Sequence, residues 1–147
     1  MSIKFEVRNL KKCNVILVYS SDGKDILFCK REKEPYKGKY NLVGGKVEEG
    51  EESLESAYRE LFEETGIKKE NICLTHLMDF DYNMSNFRLE VFAGKLEKDV
   101  TLIEEVNKLY WIDKKSNFFD MNIYAGEGNI GHMVEQVNCY KEKIFKD

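Results

Sequence analysis

The sequence between residues 52 and 66 restricts the possible fold more than any other stretch of the chain. Its apolar residues recur at the spacing of an α-helix, so they gather along one side of that helix and predict a surface that packs on a core. These residues are Leu54, Ala57, Tyr58, Leu61 and Phe62. Gly66 then supplies a C-terminal cap, and Ile67 can make the apolar contact that accompanies such caps. We therefore predict a helix from about residue 52 to residue 65.

The opposite side of this predicted helix is acidic. It carries Glu60, Glu63 and Glu64 beside two small side chains, Ser53 and Ser56. Glutamates three and four residues apart repel one another, at a cost of roughly 0.2 to 0.5 kcal/mol per pair in an isolated helix. A hard divalent cation offsets this repulsion, because clustered carboxylate oxygens are what Mg²⁺ accepts. The alternative interpretation is a solvated helix face in a chain rich in glutamate and lysine.

The residues around the helix favour the cation. Gly44 and Gly45 precede it, Glu51 lies at its start, and Arg59 borders the acidic patch as a bidentate partner for a carboxylate. Gly45, five residues, Glu51, seven residues and then RELFEETGI at positions 59 to 67 resemble the complete Nudix box. Over residues 44 to 67 the chain is thus similar to the Nudix (MutT-like) hydrolases, a family of pyrophosphohydrolases acting on phosphorus-containing anhydrides.

The remaining sequence predicts a mixed order of strands and helices. Two β-rich runs, 13–20 and 25–31, are joined by a Ser-Asp-Gly-Lys turn and predict a hairpin. We further predict a loop at 32–40, strands at 41–47, 72–82, 87–96 and 109–112, and a closing helix at 129–145 with Asn129 as its N-cap. This order favours a single α/β domain of residues 1–147. The resemblance implies a Nudix-type α/β/α sandwich with a mixed central sheet, the box helix on one face and the C-terminal helix packed on the sheet.

The resemblance also implies a set of metal ligands. They are Glu60, Glu63, Glu64 and the carbonyl oxygen of Gly45. The resemblance implies that the ion is Mg²⁺, with Mn²⁺ as an alternative, and that one glutamate helps to activate the attacking water. The residues do not decide which glutamate is the base, because coupled carboxylates titrate as a group. The catalytic partner can also come from a loop outside the box, and Glu104 and Glu105 are candidates for that partner and for a further metal ligand.

Other side chains are assigned to positioning and to substrate binding. Arg59 would pair with Glu51, or with a ligand carboxylate, and hold the loop against the helix. Arg31 and Lys46 could each reach a substrate phosphate, although both also fit ordinary charges at the ends of strands. Asn41 could contact the edge of a base, or make only local hydrogen bonds.

The preferred substrate class follows from residues 40 to 48, YNLVGGKVE. This stretch is similar to that of oxidised-purine nucleoside triphosphatases, which implies a triphosphate such as 8-oxo-dGTP, cleaved to the monophosphate and pyrophosphate. Two positions depart from the family pattern, since Val43 replaces a common proline and Tyr40 a frequent tryptophan. Residues 116 to 131 also lack the tryptophan and acidic pair that the mammalian-type enzymes use on the base, so base specificity stays open.

Several alternatives remain at this stage. The substrate could be a nucleotide sugar, ADP-ribose, a dinucleoside polyphosphate or a capped RNA end, or the domain could sense a nucleotide without cleaving it. Aromatic residues could stack on a base or belong to the core. They are Tyr36, Phe80, Tyr82, Phe87 and Tyr124.

Charge and composition limit the partners. A net charge of −4 and a pI near 5.4 provide no overall positive field for a DNA or RNA polymer, whereas small phosphate esters stay compatible because a metal ion can supply positive charge. The resemblance implies that the partner is a small nucleotide-like diphosphate. Four widely spaced cysteines predict free thiols. The amino terminus has no signal-peptide core and no apolar run is long enough to span a bilayer, which predicts a cytoplasmic protein without a membrane partner. Monomer and homodimer both remain open.

Overall fold

The computed structural model describes residues 10 to 145. The chain forms six strands and three α-helices within that range. The strands are β1 (Lys11–Tyr19), β2 (Asp25–Lys30), β3 (Tyr40–Asn41), β4 (Thr75–Tyr82), β5 (Phe87–Lys95) and β6 (Leu109–Asp113). The helices are α1 (Ser53–Thr65), α2 (Asn129–Cys139) and α3 (Lys141–Ile144). The predicted domain limits, 1 and 147, and most of the amino-terminal stretch lie outside the described residues.

The strands form one mixed sheet in the order β3-β2-β1-β5-β4, and β6 pairs with β2. The central strand β1 runs parallel to β5 along its whole length and meets β2 in an antiparallel hairpin. Strand β4 is antiparallel to β5. None of the three helices between residues 10 and 145 combines the length and the apolar character that crossing a bilayer requires.

Both faces of the sheet are covered, so β1 is apolar on both sides. Ile16 and Val18 pack with Leu61 of α1, whereas Leu17 and Tyr19 belong to the cluster that α2 and α3 complete. This alternation follows from the two-residue period of a strand. The predicted α/β/α sandwich, with the box helix on one face and the C-terminal helix on the sheet, is therefore confirmed.

The buried side of α1 is narrower than predicted. Leu54 and Phe62, at the margins of the predicted apolar arc, are 39% and 52% exposed, while Ala57 and Leu61 are fully buried. Ser56, expected beside the acidic residues, is also fully buried. Its hydroxyl accepts a hydrogen bond from the side chain of Asn14 at 3.1 Å, which satisfies both polar groups. This bond explains why α1 turns Ser56 toward the sheet and Leu54 and Phe62 toward solvent.

Two other predicted elements differ from the structure. The strand at 41–47 is only the two-residue β3, after which Val43 and Lys46 form isolated bridges to β1. The cause is Gly44, whose backbone presses so closely on β1 that any side chain would overlap the carbonyl of Asn14. The closing helix is broken at Tyr140, which leaves the helical conformation between α2 and α3.

The predicted N-cap of the closing helix is also different. Gly128, with φ 88°, occupies the capping position of α2, and Asn129 is the first helical residue. The Asn129 side chain instead donates a hydrogen bond to the hydroxyl of Tyr82 at 2.8 Å. The four cysteines are free thiols, as predicted.

Candidate active site

The loop before α1 is fastened to the sheet by a buried asparagine. Asn14 is 2% exposed, its side-chain oxygen accepts from the backbone N–H of Gly45 at 3.1 Å, and its own backbone N–H donates to the Gly45 carbonyl at 2.8 Å. Its amide nitrogen donates to Ser56 of α1. One side chain therefore fixes the position of the loop relative to the helix.

Gly44 and Gly45 lie where the loop backbone comes very close to neighbouring groups, the β1 backbone at Gly44 and the Glu60 side chain at Gly45. Gly44 has φ 149°, a conformation that side chains disfavour, and Gly45 lies directly against the carboxylate of Glu60. A methyl group at position 45 would overlap that carboxylate. A side chain at position 45 would therefore displace the Glu60 carboxylate from the loop backbone.

Arg59 organises the acidic residues around the loop. Its guanidinium makes a bidentate ion pair with Glu51, at 2.7 and 3.0 Å, and donates to the carbonyl of Lys46 at 2.9 Å. It also contacts Glu60 at 2.9 Å and Glu63 at 3.1 Å. The hydrogen bonds from Arg59 lower the pKa of Glu51 to about 2, with a backbone N–H contributing further.

Glu64 has a different environment from Glu51, Glu60 and Glu63, which all contact Arg59. Burial raises its pKa to about 7, and the negative charges of Glu60 and Glu63 act in the same direction. The backbone N–H of Gly44, 3.3 Å from Glu64 Oε2, and the positive charge of Arg31 oppose the shift. An enclosed carboxyl group of this kind stays ionised at neutral pH when a cation binds beside it.

The donor set fits a hard divalent ion. The oxygens of Glu60, Glu63, Glu64 and the Gly45 carbonyl are of the type that Mg²⁺ and Mn²⁺ prefer, with water and phosphate completing the coordination. In the described structure Arg59 contacts Glu60 and Glu63, whereas Glu64 is met by a backbone N–H. A divalent cation would supply the positive charge that Glu64 and the adjoining carboxylates require.

The two outside candidates lie in a loop that docks on the end of α1. The backbone N–H of Ile103 donates to the carbonyl of Thr65 at 2.9 Å. Glu104 itself accepts from the backbone N–H of Leu109 at 2.9 Å, so its carboxylate closes its own loop, and Glu105 is exposed. The structure thus places this loop beside α1, with Glu104 in a local structural contact.

A cavity of about 320 Å³ opens on the other face of the sheet. Its walls come from four separate parts of the chain: Val15, Tyr36, Asn41, Leu42, Tyr82, Ser85, Phe87, Leu89, Gly126, Glu127, Asn129, Ile130 and Met133. Its polar groups are paired, since the hydroxyl of Tyr36 donates to Glu127 at 2.6 Å and Asn129 donates to Tyr82. A mostly apolar cavity of this size with a few fixed polar groups is typical of small-ligand sites.

The predicted substrate residues are distributed between these two regions. Asn41 lines the cavity, and its side-chain oxygen accepts from the backbone N–H of Leu42 at 2.8 Å, which is the predicted local hydrogen bond. Its contact with a base stays a prediction. Arg31 donates to the carbonyl of Pro35 at 3.2 Å and is close enough to Glu64 to lower its pKa. Lys46 lies near Cys13, whose thiol pKa its charge lowers against the larger effect of burial.

Sequence reasoning missed Asn14, Glu127 and the contact role of Asn129. Asn14 is a polar residue inside the apolar run of β1, which is a signal that could have been noticed. Glu127 and Asn129 carry no local signal because their partners are distant in sequence. Of the aromatic candidates, Tyr36, Tyr82 and Phe87 line the cavity. Phe80 and Tyr124 belong to the core instead.

The chain is similar to known proteins over most of its length. Residues 11–121 match the model of the NUDIX domain. Over 64 residues the chain is 41% identical to the NAD-capped RNA hydrolase NudC of Mannheimia succiniciproducens, a match that covers 41% of this chain and spans only 24% of that relative's length.

Solved structures share the fold at lower identity. One is MutT from a study of Aliivibrio salmonicida and Vibrio cholerae, with a TM-score of 0.66 and 22% identity over 89% of this chain and 99% of that one. Another is the Ap4A hydrolase of C. elegans, with a TM-score of 0.68 and 21% identity over 89% and 98% of the two chains. At this identity the likeness establishes the architecture alone.

Proposed function

This chain belongs to the Nudix family, and from that premise we propose that it hydrolyses a phosphoanhydride bond of a nucleotide-like substrate with Mg²⁺ bound at the box. The observation that carries the proposal is the convergence of Glu60 and Glu64 on the Gly44–Gly45 backbone. A shared helix alone would leave these carboxylates on a solvated surface. Here a glycine loop is pressed against them.

In this proposal the carboxylates of Glu60, Glu63 and Glu64, with the carbonyl of Gly45, hold the ion. When bound, the ion neutralises charge that develops on the phosphoryl oxygens and aligns the attacking and leaving groups. Arg59 acts as a positioning residue, because it joins Glu51 to the Lys46 carbonyl and so fixes the loop on the helix. Mn²⁺ fits the same oxygen donors.

The cavity on the α2 face is the proposed site of the base. Only three positions separate Asn41, which lines the cavity, from Gly44, which contacts Glu64. A nucleotide with its base against Tyr36 and Phe87 would therefore lie with its phosphates toward the carboxylates, along the segment 41–45. Arg31 and Lys46 are the proposed phosphate contacts.

The polar groups of the cavity favour a purine with hydrogen-bond donors on its edge. Glu127 offers a carboxylate, which can accept from the N1–H and 2-amino groups of a guanine-type base. Asn41 keeps amide N–H donors for a carbonyl on the same base. We therefore keep an oxidised purine triphosphate such as 8-oxo-dGTP as the proposed substrate, cleaved to the monophosphate and pyrophosphate.

A substrate panel with Mg²⁺ tests the proposal directly. It should contain 8-oxo-dGTP, dGTP, dATP, a nucleotide sugar, ADP-ribose and a dinucleoside tetraphosphate, with release of phosphate or pyrophosphate as the measurement. We expect the highest kcat/KM for a guanine-type triphosphate. Turnover confined to ADP-ribose or the dinucleoside tetraphosphate would reject the proposed substrate but retain the proposed hydrolysis reaction. Tight binding of one compound without turnover would indicate a sensor and reject hydrolysis.

A further inference from the structure

Three potential ligand side chains come together on the α1 face, on a pair of strands outside the box. One ligating atom each from His76, Asp79 and Glu90 lies within 4.8 Å of the other two. His76 and Asp79 belong to β4 and Glu90 to the neighbouring β5. We propose that these residues form a second cation site, for a divalent transition-metal ion of the Zn²⁺ type. The proposal stands independently of the function proposed above.

A β-bulge creates this arrangement. Residues three apart on a regular strand point to opposite faces, so His76 and Asp79 would ordinarily be separated by the sheet. The register shifts between His76 and Met78, so that His76 pairs with Phe92 and Asp79 with Glu90. Phe92 and Glu90 are two residues apart and share a face. Leu77 is the extra residue, and its insertion brings both β4 side chains to the side that carries Glu90.

Glu90 is the residue that points to a ligand. It is only 4% exposed, and its Oε2 accepts from the hydroxyl of Ser53 at 2.8 Å. Its other oxygen, Oε1, is buried and has no hydrogen-bond partner among the described residues. A buried carboxylate oxygen without a partner is costly, and buried charges are normally paired or bound to a metal. Arg88, two positions along β5, is occupied by a bidentate ion pair with Asp81.

The chemistry of the three groups selects the class of ion. One imidazole and two carboxylates suit Zn²⁺ and related first-row ions, whereas Mg²⁺ prefers oxygen donors alone. His76 Nε2 lies 2.6 Å from Asp79 Oδ1. Ligands on a tetrahedral zinc are about 3.3 Å apart given Zn–N and Zn–O distances of about 2.0 to 2.2 Å, so a small opening of this hydrogen bond makes room.

The site is also accessible. The side chains of His76 and Asp79 are 43% and 36% exposed, so an ion can enter from solvent and stop against the buried Glu90. The ring of His76 stacks on Phe92, with 4.6 Å between ring centroids, which restricts its rotation before any ion arrives. A water molecule would complete the coordination.

Cobalt(II) binding in a variant without the three glutamates proposed to bind Mg²⁺ tests the site. Glu60→Gln, Glu63→Gln and Glu64→Gln together remove the proposed carboxylate ligands of Mg²⁺, and Co²⁺ then serves as a visible-absorption probe of the remaining site. We expect one bound Co²⁺ per chain, measured by equilibrium dialysis, without the thiolate charge-transfer band that cysteine ligation would produce. Zn²⁺ should displace it, whereas Mg²⁺ at the same concentration should not.

Matched variants identify the residues. In the same background, His76→Asn and Glu90→Gln should each weaken Co²⁺ binding at least about tenfold, because each removes a direct ligand. His132→Asn changes the other histidine of the chain, which is exposed on α2, and should leave binding unchanged. Circular dichroism confirms that each variant is folded. Absence of bound Co²⁺, a thiolate band, or equal binding by His76→Asn and His132→Asn would overturn the proposal.

Failure here is separable from failure of the proposed function. With the box intact, His76→Asn should keep its Mg²⁺-dependent turnover, because the residue lies outside the box carboxylates. Loss of Co²⁺ binding with unchanged turnover supports two distinct sites. Equal loss of turnover and of Co²⁺ binding would show that the cluster is part of the box site, and would reject a separate one.

Discussion

The sheet face covered by α1 and the face covered by α2 supply different halves of the proposed active site. On the α1 face, the carboxylates and the glycine loop come from one continuous stretch, residues 44–64. On the α2 face, the cavity is assembled from separate segments around Tyr36, Tyr82 and Glu127. The carboxylate site on the α1 face needs fixed local geometry, whereas the cavity on the α2 face needs only a volume and shape that fit the base. Reaction chemistry and substrate choice can therefore change independently in such a fold.

The largest expected effect falls on the α1 face. Glu63→Gln and Glu64→Gln should each lower kcat by on the order of a thousandfold with little change in KM, because each removes a proposed oxygen ligand of the ion, whose effect is largest as charge develops in the transition state. Steady-state kinetics with a saturating substrate measures this. Glu135→Gln, an exposed change on α2, is the matched control. Full turnover in both box variants would contradict the assignment.

The second test asks whether the two faces contribute equally to folding. Leu61→Ala on α1 and Met133→Ala on α2 should each reduce the free energy of unfolding by about 2 to 5 kcal/mol, since both side chains are buried to 2% exposure or less. Urea denaturation measures the loss. Phe62→Ala, at a half-exposed position, should change it by much less. A large loss on one face alone would show that only that face maintains the fold.

The third test concerns the cavity. Glu127→Gln should reduce the preference for guanine-type over adenine-type triphosphates by about tenfold, because an amide replaces the accepting carboxylate. The ratio of kcat/KM values for the two substrates is the measurement, with exposed Glu142→Gln as the control. An unchanged ratio with altered turnover of both substrates would place Glu127 in the chemistry, and so break the division between the faces.

The smallest expected effect is the pH dependence of the Glu51–Arg59 pair. The pKa of Glu51 is lowered to about 2 in the folded protein, so its contribution to stability is complete above the ordinary value near 4.5 and is lost as pH falls toward 2. Glu51→Gln should flatten the fall in Tm across that pH range. Glu127→Gln provides the comparison from the other face. Parallel Tm curves for Glu51→Gln and the unmodified protein would contradict the role of this pair.

The α1 half could be predicted from sequence because its requirements are local. Gly45, Glu51, Arg59 and the glutamates lie at fixed spacings, so both the family and its enzyme class, Nudix pyrophosphohydrolases, were recognisable, and the family match confirms them. The divalent-cation requirement belongs to that same class. The identity of the ion and the individual residue roles remain predictions.

The other half could not be predicted, since its contacts join distant residues. Asn129 has the residue type of an N-cap, yet Gly128 takes that position and Asn129 reaches Tyr82 instead. Helical periodicity likewise placed Phe62 in the core, whereas the helix is rotated toward Ser56 by its bond to Asn14. In both cases a tertiary hydrogen bond overrides a local preference.

The parallel pairing of β1 with β5 has a consequence for how the molecule is made. These strands belong to opposite halves of the chain, and every residue of β1 has its partner in β5. Such non-local pairing slows folding, because the chain loses the entropy of closing a long loop before the strand contacts stabilise the structure. During synthesis, β1 cannot complete its pairing until β5 has left the ribosome. The glycine loop, which packs against β1, cannot reach its final position before then. The nascent protein thus acquires its proposed ion-binding site late, after most of the polypeptide has been translated.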